Sequence, residues 1–204
     1  MLNPPNLAQA IQLWRQYAIP LNAVIFRSIH LRHFGNFATT QPLFAAPGGV
    51  AGSRFVRPNG PAALYAAFDA ETAHREGNQA YYQAAVTPAG QGLIQAGALR
   101  PDPVVMIGAH VRAAHLLDLR DPLVRNQLGI QTVMETLAPW KGVPNAPTQI
   151  LGEAVFNDGH FEGILYLSAQ NPGHDCIVLF PTRLLATSEI DFRDPTTGST
   201  NHLP

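Results

Sequence analysis

The chain has 204 residues, a net charge of −1 and only 13% charged residues, against about 25% in typical domains. This length predicts one domain, residues 1–204, with a core of its own. The near-neutral charge excludes a general nucleic-acid binder, which must neutralise many phosphates. A single cysteine excludes an internal disulfide bond.

The sequence carries no sign of membrane insertion or export. No uninterrupted apolar segment is long enough to cross a bilayer, and no basic region precedes an apolar one near residue 1. We therefore expect a cytoplasmic protein with no membrane partner and no directly bound nucleic acid.

The first quarter of the chain is expected to hold a helix, a strand and a long loop. Residues 1–20 form a helical lead-in, with apolar residues at helical spacing over Leu7–Tyr17. The apolar run Ala23–Ile29 predicts a strand, and Arg27 within it faces either solvent or a cleft. Residues 30–51 lack periodicity, and a loop of this length usually has a function or covers another element.

A strand and a helix are expected next. Gly60-Pro61 precedes the predicted strand Ala62–Phe68, and Asp69 is the expected N-cap of a helix that runs to Val86. Glu76 lies at the edge of an alanine-rich stripe of that helix. A carboxylate in this setting costs free energy unless it has a partner, so Glu76 belongs either to a structural ion pair or to a site.

The second half alternates short predicted elements. Residues 87–103 are expected to be a loop and residues 194–204 a frayed tail. Strands are expected at Val104–Ala109, His115–Leu119, Gly163–Ser168, Cys176–Phe180 and Ser188–Phe192. Helices are expected at Asp121–Leu128, Gln131–Leu137 and Thr148–Asn157, the last capped by Thr148 and closed by Gly159. Strands and helices without regular βαβ alternation predict an α+β fold.

Several familiar catalytic motifs are missing. The eight histidines include no H-x-x-x-H pair, and zinc needs three or four converging ligands, so we expect no metal. G-x-S-x-G, G-x-G-x-x-G and the P-loop are absent as well. Ser168 ends a predicted strand, where its hydroxyl either satisfies the adjacent turn or points into a site.

Residues 52–76 combine three chemical groups that suit a nucleotide. Arg54 lies in a glycine-flanked loop, Tyr65 in a short apolar strand and Glu76 in the following helix. A cation, an aromatic ring and a half-buried carboxylate fit an anionic, glycosidic ligand such as a dinucleotide.

Three separated blocks of the sequence resemble the RES domain family. They are Phe26-Arg27-Ser28, then residues 52–76 with Gly-Ser-Arg-Phe, Ala-Leu-Tyr and Glu76, then the stretch from Gly159 through Ser168 to Phe180. The family usually has asparagine where Val56 stands here, and Asn59 is the candidate replacement.

The resemblance implies a fold like that of ADP-ribosyltransferases, with central mixed sheets flanked by helices. It implies a toxin of a bacterial toxin–antitoxin pair that consumes NAD as its substrate and is neutralised by a cognate antitoxin. In that reaction Glu76 would stabilise the oxocarbenium-like ribose. Arg27 and Arg54 would bind the pyrophosphate, Tyr65 would stack on nicotinamide, and Ser168 would bind a ribose hydroxyl or orient Glu76.

The sequence does not decide which molecule accepts the ADP-ribosyl group. Water, inorganic phosphate and a protein side chain would give hydrolysis, phosphorolysis and ADP-ribosyl transfer, all through the same broken bond. A non-catalytic module that keeps the fold and binds a nucleotide or a partner is the alternative from a different class.

Overall fold

Six α-helices and seven β-strands make up the part of the chain that the structure, a computed structural model, describes. This part comprises residues 3–34, 43, 52–130, 140–143, 145–194, 198 and 200–203. The helices are α1 (Pro4–Trp14), α2 (Ala70–Gly77), α3 (Gln79–Ala85), α4 (Pro88–Gln95), α5 (Pro122–Gln127) and α6 (Pro147–Asp158). The strands are β1 (Ile19–His30), β2 (Leu64–Ala67), β3 (Val104–Asp118), β4 (Gly163–Leu167), β5 (Asp175–Leu179), β6 (Glu189–Arg193) and β7 (Thr200–Leu203). Single 3₁₀ turns cover Arg15–Tyr17, Leu31–Phe34 and Pro181–Arg183.

Five of the strands close into a ring. β1 pairs with β2, β2 with β5, β5 with β4, β4 with β3, and β3 again with β1. The β3–β4 pair is parallel and the other four are antiparallel. Residues 110–112 of β3 also pair with β6, which pairs with β7 and extends the sheet beyond the ring. This mixed sheet with helices packed against it confirms the α+β prediction.

The strands have two buried faces, and each has its own core. One core contains buried residues from all five ring strands: Ile25, Leu64, Ala66, Ala109, Val111, Ala113, Leu116, Leu165, Ile177 and Leu179. The other core joins the opposite face of the strands to helices α1, α5 and α6; it includes Leu7, Ile11, Val124, Leu151, Val155, Ile164, Tyr166, Cys176 and Val178. The functional site described below lies on this second face.

A buried glutamate, Glu162, lies where β3 stops pairing with β6 and begins to pair with β4. Its Oε2 accepts hydrogen bonds from the backbone N–H groups of Ala114 and His115, both at 2.7 Å. Its Oε1 accepts from the N–H of Leu185 at 2.9 Å. The carboxylate therefore replaces a strand partner for backbone groups that would otherwise be buried without one.

Several elements differ from the prediction. Val104–Asp118 is one continuous strand, where two separate strands were predicted. Pairing with β1 keeps the backbone extended through the polar residues between the two predicted strands. The helix expected up to Val86 is broken at Asn78, whose Oδ1 accepts from the N–H of Asp102 at 2.7 Å. Asparagine competes with helix hydrogen bonds in this way.

Two segments that were expected to lack regular structure contain it. Residues 87–103 hold α4, which Thr87 caps by accepting from the N–H of Gly90, with Pro88 in the first turn. The tail forms β7 because β6 offers it a free edge.

At α6 the N-cap position is held by Ala146, so the capping role predicted for Thr148 is wrong, whereas Gly159 has the expected left-handed φ of 75°.

The predicted helix Gln131–Leu137 lies outside the described residues. Within them, each helix is too short or too polar to cross a bilayer.

Candidate active site

A pocket of about 200 Å³ lies between α2 and strands β1, β2, β4 and β5. Its described lining residues are Phe26, Ser28, Ser53, Arg54, Tyr65, Ala66, Ala67, Ala73, Glu76, Gly77, Gln79, Trp140, Tyr166 and Cys176. Among them, Arg54 and Glu76 are the only arginine, lysine, aspartate or glutamate side chains. The described lining thus presents one cation and one carboxylate among aromatic rings.

Helix α2 carries Glu76 and is held at both ends. At its start, Asp69 accepts from the N–H of Thr72 at 2.8 Å and from its hydroxyl at 2.7 Å. At its end, Gly77 lies so close to β1 that an added Cβ would stand 2.7 Å from Ser28 Oγ. The absence of a side chain at Gly77 lets this end of α2 pack closely against β1.

One oxygen of Glu76 is held by three donors. Oε1 accepts from the Ser168 hydroxyl at 2.6 Å, from the N–H of Ala169 at 2.9 Å and from the N–H of Gln170 at 3.2 Å. No described residue donates a hydrogen bond to Oε2. The described residues therefore fix the carboxylate through Oε1 and place no donor of their own on Oε2.

The Ser168 hydroxyl satisfies the adjacent turn and also contacts the carboxylate of Glu76. Its fully buried hydroxyl donates to Glu76 and also accepts from the N–H groups of Gln170 at 3.1 Å and Asn171 at 2.9 Å. The side-chain amide of Asn171 then donates to Thr72 Oγ1 at 2.8 Å. These hydrogen bonds connect the β4–β5 turn to α2. Ser168 is not among the described residues that line the pocket, and its contact with a ribose hydroxyl stays a prediction.

Arg54 lies in a tight loop that Tyr65 holds in place. The N–H of Ser53 donates to Val56 O at 2.7 Å. The Tyr65 hydroxyl lies 2.7 Å from Ser53 Oγ and accepts from the N–H of Phe55 at 3.0 Å. Arg54 lines the pocket although it is only 5% exposed.

Helix α6 supports the back of the same loop. Gln149 donates from Nε2 to Ser53 O at 3.0 Å. Gly152 touches the loop so closely that an added Cβ would overlap the backbone carbonyl of Phe55. Neither residue was predicted to serve the site, because their contacts cross about 100 positions of sequence.

Burial keeps the other titratable lining groups neutral. It raises the pKa of the Tyr65 phenol to about 12. Burial, followed by the negative charge of Glu76, also raises the pKa of the Cys176 thiol, so Cys176 is a protonated, unreactive wall of the pocket. Tyr166 has its pKa raised by burial as well.

Arg27 is not among the described lining residues, and its predicted place in the cleft is not confirmed. Its neighbours Phe26 and Ser28 line the pocket, and alternation along β1 directs Arg27 to the opposite face, with Ile25 and Ile29. Burial there lowers the pKa of the guanidinium to about 10, so it remains charged at neutral pH.

Asn59 does not replace the family asparagine in the pocket. It is exposed, has a left-handed φ of 58° and occupies the turn in which Gly60 N–H bonds to Arg57 O. Val56, at the asparagine's usual position, is buried in the core.

Comparison with known proteins gives a family match and a similar fold. The model of the RES domain matches residues 24–197, whereas comparison with curated proteins gives no match. A similar solved structure is a chain of the crystal structure of the M. tuberculosis MbcT–MbcA toxin–antitoxin complex. The two chains share 21% identity over 97% of this chain and 92% of that one, with a TM-score of 0.61. That likeness establishes the fold.

Proposed function

This chain belongs to the RES domain family, and on that premise we propose that it is the toxin of a toxin–antitoxin pair that consumes NAD. The carrying observation is the carboxylate of Glu76, held through Oε1 by three donors, with Oε2 left for a ligand beside Arg54. Depletion of NAD in the cytoplasm would be the toxic effect, and a cognate antitoxin would suppress it.

The fixed carboxylate of Glu76 supports a role in electrostatic catalysis. In the proposed reaction the bond between ribose C1′ and the nicotinamide nitrogen breaks, and its electron pair neutralises the pyridinium ring. Positive charge then develops on the ribose, and a fixed anion stabilises it without having to reorient. Water completes hydrolysis by bonding through oxygen to C1′ and releasing a proton; inorganic phosphate would instead give a ribosyl phosphate.

Arg54 and the aromatic residues bind the rest of the substrate in this proposal. The guanidinium of Arg54 makes charge-assisted hydrogen bonds to the pyrophosphate. The ring of Tyr65 lies in the pocket wall while its hydroxyl holds the Arg54 loop. Nicotinamide would stack on that ring.

The experiment that tests this function is product analysis. Purified full-length chain is incubated with NAD, with and without inorganic phosphate, and the products are identified by mass spectrometry. Free nicotinamide with ADP-ribose supports hydrolysis, and a ribosyl phosphate that appears only with phosphate supports phosphorolysis. ADP-ribose attached to a protein supports the transferase alternative. Binding of NAD without any product would support the non-catalytic alternative and refute the enzyme.

A further inference from the structure

A cluster of metal-binding side chains lies on the sheet extension formed by β3, β6 and β7. His110 on β3 stands directly opposite Asp191 on β6, and Arg112 stands opposite Glu189 in the same ladder. Residues two apart on a strand share a face. His110, Asp191 and Glu189 therefore project from one face of the sheet, and none of them lines the pocket described above.

The three side chains converge. One ligand atom of each lies within 4.8 Å of those of the other two. A Zn²⁺ ion holds nitrogen and oxygen ligands at about 2.0–2.2 Å. Small side-chain rotations would bring the three ligand atoms to this distance from a shared ion. His110 is exposed and the two carboxylates are only partly covered, so nothing in the core must shift.

Each candidate ligand already has an outer partner that orients it. His110 Nε2 lies 2.7 Å from Asn22 Oδ1. Because that oxygen can only accept, the neutral imidazole that donates to it carries its lone pair on Nδ1. His202 Nδ1 lies 2.6 Å from Asp191 Oδ1, and Arg112 lies 2.8 Å from Glu189 Oε1. No described residue donates a hydrogen bond to Asp191 Oδ2 or Glu189 Oε2. Metal sites are typically supported by such outer partners, which fix the histidine tautomer and hold one carboxylate oxygen.

We propose that His110, Glu189 and Asp191 bind one divalent transition-metal ion of the Zn²⁺ type. One imidazole nitrogen with two carboxylate oxygens suits Zn²⁺ or Co²⁺ better than Mg²⁺ or Ca²⁺, which prefer oxygen ligands alone. Three protein ligands leave at least one position for water. The ion would join β6 to β3, and through His202 it would also hold the last strand, β7.

Co²⁺ is a suitable probe because its visible absorption reports coordination. Tag-free full-length protein is titrated with Co²⁺, and then with Zn²⁺ to displace it. We expect visible bands of a four- or five-coordinate ion without the near-ultraviolet band of a thiolate ligand. His110→Ala and Glu189→Gln, which remove different ligands at accessible positions, should each weaken binding by about tenfold or more.

His174→Ala is the matched control. His174 is an exposed histidine 3.0 Å from Asp69 Oδ2, a two-ligand pair that should not bind Co²⁺ measurably. Its substitution should leave the titration unchanged. A Co²⁺ spectrum like that of the aqueous ion, or unchanged affinity in His110→Ala, would overturn the proposal.

Discussion

Replacement of Glu76 by glutamine tests the proposed mechanism most directly, because it should keep the hydrogen bonds of this side chain and remove only its charge. The amide oxygen of glutamine can accept all three hydrogen bonds that Oε1 now accepts, and the reversed amide would turn its N–H₂ toward three donors. The side chain should therefore keep its orientation. The group that replaces Oε2 is then a neutral amide instead of a charged oxygen.

The expected loss is one of turnover and not of binding. Removing a preorganised electrostatic contact to the transition state typically costs about 10²–10³ in kcat, or about 2.7–4 kcal/mol. Nicotinamide release at saturating NAD measures kcat, and calorimetric titration with NAD measures affinity. We expect kcat of Glu76→Gln to fall by this factor while Kd changes little.

Glu162→Gln is the matched control, since it makes the same chemical change at a glutamate outside the pocket. Both oxygens of Glu162 accept backbone N–H groups, so the amide N–H₂ must face a donor in either orientation. Leaving buried groups unsatisfied costs about 1–3 kcal/mol. Glu162→Gln should therefore lower the melting temperature while sparing kcat of the folded fraction. Near-normal turnover in Glu76→Gln would refute the reasoning and make Glu76 a structural residue.

Three further predictions concern the loop and the cellular effect. Arg54→Ala should weaken NAD binding before it lowers kcat, because the phosphate contact exists in both ground and transition states; a KM that stays at the wild-type value would contradict the role. Gly152→Ala should destabilise the fold and reduce NAD affinity together, since the methyl group overlaps the Phe55 carbonyl; thermal melts and NAD titration measure both, and an unchanged melting temperature would be inconsistent with this contact. Expression of the chain without an antitoxin should lower cellular NAD and stop growth, and Glu76→Gln should relieve both; normal growth with wild-type protein present in the soluble fraction would favour the non-catalytic alternative.

Sequence patterns alone located the elements that carry the site. Asp69 caps α2 as predicted, and Glu76 follows two turns later on that helix. The strand that ends near Ser168 and the strand that follows it were also predicted within one residue at each boundary. These features depend on helix spacing, cap chemistry and turn residues, all of which act over a few positions.

Contacts between distant segments decided how those elements work together. The Ser168 hydroxyl reaches Glu76 across 92 positions, and Gln149 reaches the Arg54 loop across 96. The cluster around His110 and Asp191 likewise exists only because β3 pairs with β6, so no histidine spacing along the chain could indicate it.

Arg27 shows why local pattern was not enough. Alternation along β1 could place Arg27 and Phe26 on opposite faces of the strand. Only the closure of the ring determines which of these two faces meets α2 and the pocket. A residue's backbone conformation is set mainly by its close neighbours in sequence. The face that a strand residue presents depends on pairing with strands far away in the chain, and that pairing is decided by burying two cores at once.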